Sequence, residues 1–286
     1  MSAFRLEQGE SVADGIRRIA RGRIDHALDE LHDRTDSTSV EAVHEARKDM
    51  KKLRALLRLM RGELGKSVCR SESARFREAA RELAGVRDAD VMLETLSGLE
   101  ESYPGLRQAL EAHRIRTSAG GRSQAAGAAI EVLKDAREQV EEWPLERDGF
   151  SAFEKGLRRT YRQGRRDFRA ARAEPTSEAL HEWRKRVKDL WYHLSILQES
   201  WKPVMKAMAD EAHELSDRLG DDHDLATLLE WSREHAPAEE LELLVVRRRE
   251  ELQAEAFAYG AKLYADKPKL FAARIEGWWE AGRAIS

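Results

Sequence analysis

The chain of 286 residues has one cysteine, six prolines, 18 glycines and no apolar run of membrane-spanning length. Each scarcity removes a class of protein. Cys69 alone can form neither an internal disulfide nor a cysteine-based metal cage, which points to a reduced compartment. The opening segment MSAFRLEQGESVADGIRR has no apolar centre of the signal-peptide kind. No stretch approaches the ~20 apolar residues a bilayer requires. A cytoplasmic setting without a membrane partner is the expectation. Aromatic residues make up 7% of the chain, and no segment shows convincing strand-like alternation. Net charge is scarce as well, because 50 Lys and Arg stand against 53 Asp and Glu, a formal −3. Affinity for a polyanion must therefore come from segregating the charges rather than from their total.

What is abundant is charge of both signs, 36% of all residues, set among apolar residues at helical spacing. The 3.6-residue period predicts helices near 10–34, 38–61, 66–98 and 104–141, then 149–173, 176–200, 203–235, 237–265 and 268–284. Breaks are expected at DRTDSTS before the second helix, SYPG at 102–105, EWPLERDG at 142–149 and AEPTS at 173–177. Thr38 and Glu41 have capping-box spacing, and Glu178 falls in a first turn after Pro175, where the helix dipole favours it. Trp143, Trp201, Trp231, Trp278 and Trp279 are expected as core or interface anchors. His26, His113 and His213 have no matched partners and are expected as surface or satisfied histidines.

The organising feature is an internal repeat. VHEARKDMKKLRALL at 43–57 matches LHEWRKRVKDLWYHL at 180–194 with a shift of 137. LAGVRDADV at 83–91 echoes LGDDHDLAT at 219–227, and GIRRIARG at 15–22 echoes GLRRTYRQ at 156–163. Three motifs in the same order twice imply a duplicated helical unit, with repeats at about 8–145 and 146–286 of a single domain spanning 1–286. An all-α fold of two similar bundles related by a pseudo-twofold follows, with a site formed between or along the copies.

With His44 at zero degrees and 100 degrees per residue, Arg47, Lys48, Lys51, Arg54 and Arg58 fall within about 80 degrees of it. Ala46, Met50, Leu53, Leu56, Leu57 and Met60 take the opposite side. The second copy groups His181, Arg184, Lys185 and Lys188 opposite Trp183, Val187, Leu190, Leu194 and Leu197. It departs from the first where Trp191 replaces Arg54 and Tyr192 joins the polar side. On the preceding helices, Arg159, Arg162, Arg166 and Arg169 back one apolar stripe, and Arg18 and Arg21 back the other. A solvated face usually mixes signs, since like charges at i,i+3 and i,i+4 cost roughly 0.2–0.5 kcal/mol per pair. Here Glu45 and Asp49 are read as lying on the flank, away from the cations. A cationic face present twice favours a surface for an anionic partner, with Arg forking phosphate oxygens and Lys acting as a point charge.

Two other readings remain open at this level. Glu41-x-x-His44 and Glu178-x-x-His181 resemble half the ligand set of a di-metal carboxylate bundle, and GDDHD (Asp221, Asp222, His223, Asp224) offers further donors. Arg and Lys continuing along each histidine face oppose a divalent ion, and no symmetric pair of extra Glu ligands is evident. Nucleic acid is the second alternative, but only Trp191 and Tyr192 are available near the basic faces for base stacking. No nucleophile or acid–base pair has convincing spacing, so a non-enzymatic binder without cofactor or metal is the expectation.

The chain resembles the CHAD family, the conserved-histidine alpha-helical domains. The resemblance rests on VHEARKDMKKLRALLRLM, LHEWRKRVKDLWYHLSIL, LAGVRDADV, LGDDHDLATL and GLRRTYRQGRR, and covers nearly the whole chain. It implies two four-helix bundles in pseudo-twofold arrangement, with a basic channel or groove for inorganic polyphosphate and association with polyphosphate granules. Carried over by residue, the implied site is His44, Arg47, Lys48, Lys51, Arg54 and Arg58 with His181, Arg184, Lys185 and Lys188. Arg18, Arg21, Arg159, Arg162 and Arg166 are additions from the neighbouring helices. The triphosphate-tunnel hydrolase domain fused to some members has no counterpart here, because no strand-rich E-x-E-x-K segment is present.

Overall fold

The computed structural model describes residues 3–32, 40–83, 88–99, 101–118 and 122–284. Thr38 of the expected capping box, the DRTDSTS break and positions 84–87 of the LAGVRDADV echo lie outside the described residues. Among the described residues the chain forms eleven α-helices, two 3₁₀ turns and no strand. The first six are α1 (Val12–His32), α2 (Val40–Leu59), α3 (Arg61–Glu82), α4 (Asp88–Ser97), α5 (Pro104–Ser118) and α6 (Arg122–Gln139). The rest are α7 (Ser151–Ala173), α8 (Ser177–Ile196), α9 (Lys202–His235), α10 (Glu239–Leu263) and α11 (Pro268–Ala284).

Local chemistry explains several ends. The Ser11 hydroxyl accepts from the Asp14 amide at 3.1 Å and donates to the Asp14 carboxylate at 2.7 Å, capping α1. Thr176 caps α8 by accepting from the Ala179 amide at 3.1 Å, with Glu178 in the first turn. Two expected helices each prove to be a pair. The span 66–98 holds α3, which begins earlier and kinks at Gly65 (φ 77°), and then α4. The span 104–141 holds α5, ending at Ser118, and α6, beginning at Arg122.

The apolar stripes set how the helices pack. α1, α2, α3 and α6 pack in a closed ring of neighbours, and α7, α8, α9 and α10 form a second such ring. Ala46, Met50, Leu53, Leu56 and Leu57 of α2 and Met60 just after it are fully buried, as are Trp183, Val187, Leu190 and Leu194 of α8. Each large side chain among them contributes roughly 1.5–3 kcal/mol by leaving water. The halves meet where α2 packs on α7 and α8, and α3 on α7, so one continuous core runs from Leu6 to Trp279. α4 and α5 lie outside both rings, over a separate core in which Met92, Leu96 and Leu110 meet Leu228 and Val245. α11 closes over α7, with Phe271 stacked on Tyr161 at 3.9 Å and Trp279 edge-on to Phe153 at 5.4 Å. Trp143 and Trp279 are buried, but Trp201 is 49% exposed: it precedes α9 at the surface and packs edge-on with Trp278.

One polar contact ties the halves together inside this core. His193 of α8 is fully buried, and its Nε2 donates to the Ala55 carbonyl of α2 at 2.8 Å. Burial pushes its pKa down to about 4, so the native ring is neutral. The unfolded ring takes up a proton near pH 6.5 and the native one does not, so stability falls as pH drops from about 6.5 towards 4. The His193 share of that loss is on the order of 3 kcal/mol. Melting curves between pH 7 and 4.5 should fall more steeply for the parent chain than for His193→Gln, which retains a donor for Ala55. Equal pH dependence in the two proteins would contradict this.

Candidate anion-binding groove

Because the core takes one side of α2 and α8, their opposite sides come together over α3. Lys51, Arg54 and Arg58 from α2 and Arg77 from α3 face His181, Arg184, Lys185 and Lys188 from α8 around a cavity of about 480 Å³. Glu182, Arg186, Asp189 and Tyr192 complete its wall. A second cavity of about 260 Å³ shares Arg54, Arg58 and Arg77 with the first and continues along Arg61, Lys66 and Arg70. Eleven Lys and Arg side chains thus line the joined groove against two acids, Glu182 and Asp189. In a chain of formal charge −3 this is strong local segregation.

Three of the six α2 residues expected from the sequence and all four from α8 are in this groove. His44, Arg47 and Lys48 do not line it. Lys48 Nζ sits 3.1 Å from Glu45, His44 Nε2 lies 3.8 Å from the same carboxylate, and Arg47 reaches the Leu83 carbonyl at 3.5 Å. Glu45 is therefore interleaved with the cations, contrary to the flank position read from the helical wheel, because its side chain spans one turn to Lys48. Asp49 is not on a solvated flank either. It is 1% exposed and turned towards α1, where Arg23 Nη1 approaches at 3.3 Å and His26 Nδ1 at 2.5 Å, with Lys52 Nζ at 3.3 Å.

The added arginines divide. Arg18 holds the N-terminal segment, pairing with Glu10 at 2.6 Å and donating to the Arg5 carbonyl, and Arg21 pairs with Glu141 at 2.6 Å. Neither lines the groove. Arg159 of α7 is exposed near the groove residues Arg61 and Arg186, and partial burial followed by these like charges lowers its pKa. Arg162 is exposed along the same helix, and Arg166 pairs with Asp167 at 2.8 Å. The residues missed were Arg61, Lys66, Arg70 and Arg77 of α3, and Arg186. Lys66, Arg70 and Arg77 fall within about 40 degrees on one helical wheel, a signal legible in principle.

Two guanidiniums in the groove form no salt bridge among the described residues. The Nε atoms of Arg54 and Arg184 are buried and have no hydrogen-bond partner. Arg184 lies flat against α9 at Gly220, where a Cβ would stand 2.8 Å from its Nη2. Burial, then the charge of Arg58, lowers the pKa of Arg54. Partly desolvated cations with no acid bonded to them are costly and favour an anion that enters. His181 supplies hydrogen bonding rather than charge. Burial, the neighbouring His223 ring at 4.5 Å, Lys185 and Arg184 push its pKa down to about 4, and its Nδ1 has no partner. Asp189 is enclosed between Arg58 and Arg186, each at 3.0 Å. Burial pushes its carboxyl up, and Arg58, Arg186 and Arg54 oppose that shift.

The metal reading gains no geometry. Among the described residues, no three His, Cys, Asp or Glu side chains are grouped to hold an ion. Asp222 of the GDDHD segment is engaged by Arg249 at 3.0 Å and Gln253 at 2.7 Å. Among the same residues, no helix is long and apolar enough to cross a membrane.

A family model of the CHAD domain matches residues 18–233. The chain belongs to the CHAD domain family. Its fold is similar to the crystal structure of the CHAD domain from the plant Ricinus communis, with a TM-score of 0.63 at 17% identity. That match covers 100% of this chain and 96% of the other. At such identity the likeness speaks for the fold alone. No curated protein matches the chain. Within this CHAD domain, the groove at α2, α3 and α8 concentrates eleven cations in one concavity.

Proposed function

We propose that this CHAD domain binds inorganic polyphosphate along the α2–α3–α8 groove, without catalysis. The carrying observation is the ratio of eleven cations to two acids, with the buried Nε atoms of Arg54 and Arg184 lacking hydrogen-bond partners among the described residues. Along α3 alone the cations from Lys66 to Arg77 extend about 16 Å, which suits a linear polyanion better than a single small anion. Polyphosphate presents a regular line of oxygens to such cations and no apolar surface. Binding would release counterions and weaken steeply with salt.

A nucleic acid would offer the same phosphates plus bases, but the local aromatics are occupied. Trp191 stacks on Tyr192 at 4.7 Å and meets His213 edge-on at 3.8 Å. Catalysis finds no support in the lining. The Cys69 thiol is pushed up to about 11 by burial and donates to the Leu57 carbonyl at 3.2 Å, so it is no ready nucleophile. Association with polyphosphate granules in the cytoplasm follows from this reading as its cellular consequence.

Calorimetric titration of the chain with long-chain polyphosphate at several salt concentrations tests the proposal. Saturable binding that weakens linearly on a log–log salt plot is expected. A chain that keeps its helical circular dichroism yet binds nothing at low salt would overturn it.

A further inference from the structure

Asp189 is an anomaly in a groove built for anions. It is the only enclosed acid of the two that line it, with a side chain 9% exposed, whereas Glu182 stands at the rim at 47%. Its two oxygens are divided between the halves of the molecule. Oδ1 accepts from Arg58 Nη1 of α2 and Oδ2 from Arg186 Nη1 of α8, each at 3.0 Å. Arg186 is steadied further by Asp167 of α7, whose carboxylate lies 3.8 Å from its Nε. A carboxylate between two guanidiniums from different helices occupies the position that an isolated phosphate would take. Arg54 of α2 and Arg184 of α8, whose buried Nε atoms have no hydrogen-bond partner, line the same cavity.

Resting on the anion-groove reading, we propose that Asp189 is a specificity-determining residue. Its tethered carboxylate fills the Arg58–Arg186 position and so excludes single phosphate-sized anions. Only an anion long enough to join the outer cations of α2, α3 and α8 binds. The physical basis is a difference in competition. Orthophosphate must displace a carboxylate held at high effective concentration by its own backbone. A chain of phosphates leaves Asp189 in place and gains its affinity from several flanking contacts at once. Selection against the short ligand is thus built in as a local repulsion rather than as an extra attraction for the long one.

The test is titration of the parent chain and of Asp189→Asn with orthophosphate and with long-chain polyphosphate at one salt concentration. Asp189→Asn keeps the side-chain shape and removes the charge. It should bind orthophosphate at least about tenfold more tightly than the parent, with a change of less than about threefold for the long chain. Glu182→Gln, which removes the same charge from the rim, should shift both ligands by equal factors. Equal factors for Asp189→Asn would mean that only net charge matters and would overturn the proposal, as would tight orthophosphate binding by the parent. If Asp189→Asn does not fold, the parent decides through ortho-, pyro-, tripoly- and long-chain phosphate. A steep onset of affinity with length is expected, and a flat series overturns the proposal. Failure of the long chain to bind the parent would count against the polyphosphate reading itself, a separate outcome.

Discussion

Replacing Arg54 and Arg184 together with alanine should cut affinity for long-chain polyphosphate by a factor of about 100 or more, while helical content and fold are kept. A hydrogen bond to a charged group contributes roughly 1.5–3 kcal/mol, so two lost guanidiniums cost about 3–6 kcal/mol of binding. The fold should survive because neither residue holds a protein acid in a salt bridge among the described residues, and Asp189 keeps its bonds to Arg58 and Arg186. Among the described residues, each has a buried Nε without a hydrogen-bond partner and neither forms an ion pair. Removing them leaves no orphaned carboxylate and relieves repulsion between Arg54 and its neighbours Arg58 and Arg77. Arg58→Ala differs, because it strips Asp189 of one of its two partners and should destabilise the chain. Titration and thermal melts on both variants separate binding from folding. Affinity of the double variant within threefold of the parent would show that the groove is not the site.

A second large effect is expected at the junction of the halves. Gly156 of α7 crosses the end of α2 so closely that a Cβ would lie 1.8 Å from the Leu59 carbonyl oxygen and 2.7 Å from that of Arg58. Neither backbone oxygen can turn aside as a side chain can. Gly156→Ala must lift α7 from α2, and α2 is the helix that carries Lys51, Arg54 and Arg58. We expect a destabilisation above about 3 kcal/mol, at the upper end for overpacking, or a melting temperature lower by about 6–12 °C. Gly127 of α6 is the control, since a Cβ there meets nothing within 4 Å. Gly127→Ala should stabilise by up to about 1 kcal/mol through helix propensity. Similar melting temperatures for the two variants would contradict the α2–α7 contact.

The helical class and the apolar stripes were legible in the sequence because both depend on local period alone. The repeat added more, since the same cationic side recurring on two helices pointed to Lys51, Arg54, Arg58, His181, Arg184, Lys185 and Lys188 as one group. What it did not carry was which helices become neighbours. α3 supplies Arg61, Lys66, Arg70 and Arg77, yet it lies outside the matched histidine segments, so comparing copies drew no attention to it. Pairing partners distant in the chain were equally invisible. Arg21 meets Glu141, and Arg58 meets Asp189 across 131 positions. Within α2, a wheel built from Cα directions placed Glu45 on the flank, but its flexible side chain reaches Lys48. The first half of the cationic face is thereby partly neutralised, and the groove forms along the second half.

Lysine footprinting tests the central claim most directly. The chain is treated with a lysine-acetylating reagent with and without long-chain polyphosphate, and each site is quantified by mass spectrometry. Lys51, Lys66, Lys185 and Lys188 line the groove, whereas Lys134, Lys202 and Lys206 are exposed on α6 and α9 away from it. Polyphosphate should slow acetylation of the first four at least several-fold and leave the other three unchanged. Uniform protection of all seven, or protection confined to Lys134, Lys202 and Lys206, would contradict a polyphosphate site between α2, α3 and α8.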